Sequence, residues 1–172
     1  RPADAIETAE CWALAIKRSD GPSTLALTRQ GLPPLRSDVD VNRCEKGAYR
    51  LKAAEAEKRV VLVATGSEVS LAMDVAAALE KSGLGADVVS MPCTELFDQQ
   101  PDAYRSDMLG GEDILTVSIE AGTTFGWERY TGLNGLRFGI DSFGASAPID
   151  DLYNHFGLTV DKITPEIMKK IG

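Results

Sequence analysis

The sequence is short of the groups that bind transition metals or cross-link chains: His155 is its single histidine, and Cys11, Cys44 and Cys93 are its only cysteines. With no Cys-x-x-Cys pair and one imidazole, neither a zinc centre nor a disulfide framework is expected, and the plain reading is three free thiols. Long apolar runs are also missing. Nothing approaches the roughly 20 residues that span a bilayer, and the opening RPADAIETAE lacks the apolar core of a signal peptide, so a cytoplasmic, membrane-free chain is expected. Basic residues are in deficit, 18 against 26 acidic, for a formal charge of −8. That sign repels nucleic acid phosphates and anionic lipid, which removes both as partners. Aromatics make up 6% of residues. Phe125, Trp127, Tyr130, Phe138, Phe143, Tyr153 and Phe156 gather towards the C-terminal end, where an acidic surface gives base stacking no support; core or interface is the better reading. Internal repeats and low-complexity tracts are absent.

What is present is most legible between Val60 and Pro92. Val60, Val61, Leu62, Val63 and Ala64 form an unbroken apolar run, the pattern of a strand covered on both faces. Thr65, Gly66 and Ser67 turn the chain, and Val69, Ala72, Met73, Ala76 and Leu79 place an apolar stripe on the helix that follows. A second apolar strand runs over 86–91. This is a βαβ unit, and a parallel sheet follows from it.

Upstream, residues 3–19 read as a helix with Ile6, Ala9, Ala13, Leu14 and Ile16 on a broad apolar face, stopped by Ser19-Asp20-Gly21-Pro22. Ser23 to Thr28 reads as a short strand. Two such elements cannot bury their own faces, so residues 1–30 are expected to be the helix-strand remnant of another α/β domain. Residues 31–57, with Gly31, Pro33, Pro34 and many charges, read as an interdomain linker with a short strand near 48–51. From 58 to 172 strands and helices alternate: strands at 60–64, 86–91, 114–119 and 136–140, helices at 68–82, 101–108, 124–132, 148–156 and from 164. The expected fold is a three-layer α/β/α domain on a mostly parallel sheet of about five strands.

Several places invite chemistry. Thr65-Gly66-Ser67-Glu68 is a strand-to-helix turn whose free N–H groups favour an anion. It carries one glycine where a dinucleotide fingerprint has three and no Walker lysine, so Ser67 capping the helix is favoured over a ligand. Glu120 ends the strand 114–119 at the sheet edge where open α/β sheets bind ligands; pairing with a basic group, or capping the helix of Phe125 and Trp127, is favoured over substrate contact. Ser146, Asp150, Asp151 and His155 occur in hydrolase order, but Gly144-Ala145-Ser146-Ala147-Pro148 has proline where a nucleophile elbow needs glycine. The groups also crowd on one turn and helix, whereas triads converge from separate loops. Asp150 and Asp151 are expected in the first turn of a helix that His155 closes. Arg29, at the end of the strand 23–28, stands where parallel sheets present ligand-binding groups; from residue chemistry alone a salt bridge competes with a phosphate grip.

LVATGSEVSLAMD, VVSMPCTELFDQQ, SIEAGTTFGWERY and FGIDSFGASAP resemble the C-terminal domain of transketolases, and RPADAIE with LALTRQGLP resembles the end of that family's pyrimidine-binding domain. Six strings in the family's order cover nearly the whole chain. Deoxyxylulose phosphate synthases and the beta subunits of the pyruvate dehydrogenase type share the architecture, but FGASAP and TFGWERY fit transketolase better. The resemblance implies a C-terminal fragment of an enzyme that moves a two-carbon ketol unit between sugar phosphates in the pentose phosphate pathway. It uses thiamine diphosphate and a divalent metal, Mg or Ca, held between the subunits of a homodimer. It further implies that Arg29, in Leu27-Thr28-Arg29-Gln30, contacts the substrate phosphate. The cofactor motifs, including the Gly-Asp-Gly metal motif, have no counterpart here, so no cofactor is expected on this fragment, which should be inactive without the remaining N-terminal part and serve dimer organisation. The alternative is an independent α/β module that binds a protein or a small ligand.

Overall fold

The structure, a computed structural model, describes residues 1–111 and 113–172. Helix α1 (Ala5–Lys17) leads through an irregular stretch and a 3-10 turn (Arg43–Lys46) to strand β1 (Tyr49–Lys52). Then follow β2 (Lys58–Ala64), α2 (Glu68–Lys81), β3 (Gly85–Ser90), α3 (Thr94–Asp98), α4 (Asp102–Leu109), β4 (Leu115–Ile119), α5 (Glu128–Thr131), β5 (Leu136–Phe138), α6 (Ile149–Phe156) and α7 (Val160–Ile171).

The strands form one five-stranded sheet in the order β1-β3-β2-β4-β5. β2 runs parallel to both neighbours, pairing Leu62 with Val88 on one side and Val117 on the other. β5 is parallel to β4, and only β1 is antiparallel, laid along β3 with Tyr49 opposite Ser90. The apolar run of β2 is central and fully buried, as an unbroken hydrophobic strand requires. Its alternate residues feed two cores: Val60, Leu62 and Ala64 meet α2 and the Ile163 and Ile167 side of α7, while Val61 and Val63 meet Met91, Phe97 and Met108. The three-layer α/β/α reading therefore holds.

Four local expectations differ. Ser23 to Thr28 forms no strand and pairs with none among the described residues; the sheet is built wholly from Tyr49 onward. α3 has no periodic signature; Phe97, fully buried, holds its single turn in place. α5 starts at Glu128 rather than near 124, since the main chain and hydroxyl of Thr124 are spent on Asp141. α1 buries the acidic Glu7 and Glu10 and leaves Trp12 and Ile16 51% and 77% exposed, the reverse of the apolar-face expectation.

Candidate functional site

β2 and β4 are neighbours, yet the chain leaves β2 through α2 on one face and reaches β4 through α3 and α4 on the other. Such a switch point opens a crevice at the strands' C-terminal ends, where α/β folds collect polar groups. Here it brings together Thr65 and Glu68 from the first turn and Glu120 from the end of β4. Glu68 is fully buried and saturated with donors. Its Oε1 accepts Ser67 Oγ at 2.7 Å and Tyr153 OH at 2.5 Å. Its Oε2 accepts Ala121 N and Arg1 Nη2, both at 3.1 Å. Glu120, 7% exposed, pairs with the Arg1 guanidinium and accepts the Thr65 hydroxyl. Burial and the neighbouring Glu68 carboxylate push the Tyr153 phenol well above its ordinary range.

The crevice is thus closed by one guanidinium over two carboxylates. Arg1 also accepts Gly66 N at its carbonyl, 3.1 Å, and donates its main-chain nitrogen to Pro92 O at 2.7 Å. An anion at the Thr65–Glu68 turn would meet two buried carboxylates, so the turn does not serve as a phosphate cradle. The expected side-chain cap by Ser67 on α2 is not made, because its hydroxyl is turned to Glu68. Glu120 has the basic partner that its position suggested.

Arg29 lies elsewhere, on the stretch after α1, where its side chain is exposed and makes no hydrogen bond or ion pair among the described residues. The structure does not bring it near Glu68 or Glu120 through any contact. A free guanidinium on an extended segment can close on an oxyanion with two parallel hydrogen bonds, chemistry that a paired arginine has already spent.

The acidic face of α1 builds a second polar assembly that sequence reasoning missed. Glu7 Oε1 accepts Ser90 Oγ at 2.6 Å and Tyr49 OH at 2.8 Å, and its Oε2 accepts Ala3 N at 2.7 Å. Burial raises the Glu7 carboxyl above its ordinary value despite these bonds. One turn on, Glu10 Oε1 meets Arg36 Nη2 at 2.5 Å, and its Oε2 accepts Arg43 N and Cys44 N at 3.0 and 3.2 Å. Cys11, on the next position of α1, and Cys44, whose amide Glu10 accepts, are both free thiols. The only available signal was Glu7 and Glu10 at i, i+3, which reads as an ordinary solvated face.

Ser146, Asp150, Asp151 and His155 are all exposed and share no hydrogen bond. Asp150 and Asp151 occupy the first turn of α6 and His155 its last, as expected, and His155 packs edge-on against Phe156 at 4.7 Å. Among the described residues no three His, Cys, Asp or Glu side chains converge on a metal position, and no helix is long and apolar enough to cross a membrane. A groove of about 890 Å³ between α4 and α5 gathers Arg105 and Arg129, but these are already paired with Asp102 and Asp98.

Comparison with known proteins matches residues 47–159 to the family described as the transketolase-like TK C-terminal domain. A transketolase of Sinorhizobium medicae is 46% identical over 171 residues, 98% of this chain and 24% of that protein. Among solved structures, the transketolase from Leishmania mexicana superposes with a TM-score of 0.88 at 41% identity, over 99% of this chain and 24% of its own. A Pichia stipitis transketolase in complex with sedoheptulose 7-phosphate gives 0.89 at 37% identity, with the same two coverages. The chain spans about a quarter of the length of the relatives it matches.

Proposed function

The chain belongs to the transketolase family, matching its C-terminal part, and from that premise we propose that it serves as the C-terminal part of a thiamine diphosphate-dependent transketolase. The parent transfers a two-carbon ketol unit between sugar phosphates, works in the cytoplasm within the pentose phosphate pathway, and functions as a homodimer. Residues 1–30 complete the pyrimidine-binding domain, 31–57 link it onward, and 58–172 form the C-terminal domain. The observation that carries the reading is near-full coverage of this chain by transketolases at over 40% identity.

Thiamine diphosphate, when bound, supplies the carbanion chemistry that cleaves and re-forms the carbon–carbon bond. Its diphosphate needs a divalent cation held by oxygen ligands. Among the described residues no three His, Cys, Asp or Glu side chains gather, and on this reading the cofactor site belongs to the remainder of the parent. The chain's own share is binding and scaffold. Arg29 grips the substrate phosphate; its exposure and lack of a partner support this, as does the sugar phosphate bound to the Pichia stipitis relative. Phe125 and Phe143, 86% and 99% exposed on the loops after β4 and β5, support a surface that is covered in the assembled enzyme.

The test is Arg29→Gln in the full-length parent, with kcat/KM read for a phosphorylated ketose donor and for the same ketose without phosphate. A charge-assisted contact contributes about 1.5–3 kcal/mol, so the preference for the phosphorylated donor should fall about 10- to 100-fold. An unchanged preference removes Arg29 from the site. The present chain alone is expected to show no ketol transfer.

A further inference from the structure

We propose that the Glu10–Arg36 ion pair is a positioning element that sets where Arg29 stands, and so how tightly a sugar phosphate is held; this rests on the reading of Arg29 as the phosphate contact. Among the described residues the Arg29 side chain makes no hydrogen bond or ion pair of its own. It sits on a stretch without helix or strand between α1 and the 3-10 turn, so its place is decided by whatever holds that stretch.

α1 holds it on both sides. Upstream of Arg29, Leu25 and Leu27 lie beside Trp12 and Ile16 around a cavity of about 320 Å³, a loose apolar contact. Downstream the hold is polar and tight. Leu35 N donates to Asp4 Oδ2 at 3.0 Å, and the next residue, Arg36, has a side chain only 5% exposed, with Nη2 2.5 Å from Glu10 Oε1. Arg36 Nε donates to Tyr49 OH at 3.1 Å, so its rigid fork is engaged on two sides. Glu10 is fixed in turn through its second oxygen by the Arg43 and Cys44 amides.

Between this anchor and Arg29 lie Pro33 and Pro34, whose rings lock φ and stiffen the path along which the anchor's position is transmitted. At the other end, Gln30 N donates to Thr28 Oγ1 at 3.1 Å and closes a turn around Arg29 itself. A buried ion pair, a two-proline strut and a hydroxyl-closed turn thus connect α1 to the free guanidinium. Binding a phosphate to a held arginine costs less ordering than binding it to a wandering one.

The experiment uses the full-length parent with thiamine diphosphate and its divalent metal, and reads the ratio of KM for a phosphorylated ketose to KM for the free ketose. Glu10→Gln is expected to raise that ratio about fivefold, and by less than about twofold when added to Arg29→Gln, because both changes act through one contact. Arg36→Lys keeps the buried charge but loses the fork; it should raise the ratio less, and it stands in where Glu10→Gln yields no soluble enzyme. Equal increases in KM for both donors, additivity with Arg29→Gln, or no change in either variant while Arg29→Gln shifts the ratio would each overturn the proposal. An Arg29→Gln enzyme with an unchanged ratio would instead remove the phosphate reading on which it rests.

Discussion

Glu68→Leu is the sharpest probe of the closed crevice. The substitution roughly preserves volume and removes a fully buried carboxylate that accepts four donors. Deleting one partner of a buried, hydrogen-bonded charge pair costs about 3–5 kcal/mol. Two facts place the loss at the low end. Arg1 keeps Glu120, and its side chain is 37% exposed, so water takes up part of the vacated interaction. Ala121 N and Tyr153 OH, 3.1 and 2.5 Å from the carboxylate, lose their acceptor outright. The expected loss is therefore about 3 kcal/mol, a sizeable share of the 5–15 kcal/mol that holds a domain together. Urea unfolding reads it as a fall of about 1–2 M in midpoint at unchanged slope. Tyr153→Phe alone should cost about 1 kcal/mol. The double variant should cost less than the sum by about 1 kcal/mol, because removing the hydroxyl relieves the donor that Glu68→Leu orphans. A Glu68→Leu loss below about 1 kcal/mol, or strict additivity with Tyr153→Phe, would refute the claim that this carboxylate organises the switch point.

Gly47 has φ +80°, and a Cβ there would run into Phe97 N and Cys93 O, whereas Gly83, at the same φ, faces open space. Gly47→Ala should cost about 3 kcal/mol and Gly83→Ala about 1 kcal/mol, read as thermal midpoints; equal shifts would mean that the approach of the 3-10 turn to α3 is not tight. Burial opposes ionisation of Glu80, but amides of Glu55, Ala86 and Ala56 and the Lys52 charge outweigh it and draw its carboxyl down from 4.5 to about 2. A depressed folded-state pKa contributes stability above the ordinary value that is lost as pH falls towards 2. Glu80→Gln should therefore flatten the acid-side decline in stability between about pH 4.5 and 2, and an unchanged pH profile would count against the role of those three amides.

How far the sequence was legible follows from what each residue's signal depends on. β2, α2 and β3 could be read because an unbroken apolar strand and a 3.6-residue stripe are local consequences of burial on two faces and on one. α7 was expected from 164; it begins at Val160, with Pro165 tolerated inside. Glu120 could be placed at the sheet edge because strand ends can be counted, but its partner, Arg1, lies at the far end of the sequence and only the fold brings it there. The Glu7 and Glu10 assembly could not be read at all. Carboxylates on a helix look like a solvated face unless the groups that satisfy them, Ser90, Tyr49 and Arg36, are known to be adjacent. Arg29 was singled out by the end of an expected strand that does not form and by family resemblance, and the structure adds that its guanidinium has no partner among the described residues.

Among the described residues β1 is the one antiparallel strand, and it comes from the stretch that precedes the alternating pattern. It shields the flank of β3, all six residues of which are buried. It also brings Arg50 to within 2.8 Å of Asp87, a buried carboxylate that accepts Ala54 N from the same stretch. A chain trimmed to begin at 58 would lay bare a row of unpaired amides along β3 and leave Asp87 with Lys58, 3.5 Å away, in place of the closer Arg50. An exposed flank of that kind recruits other chains by strand addition, and the span that reads as a tether replaces it with a strand of only four residues.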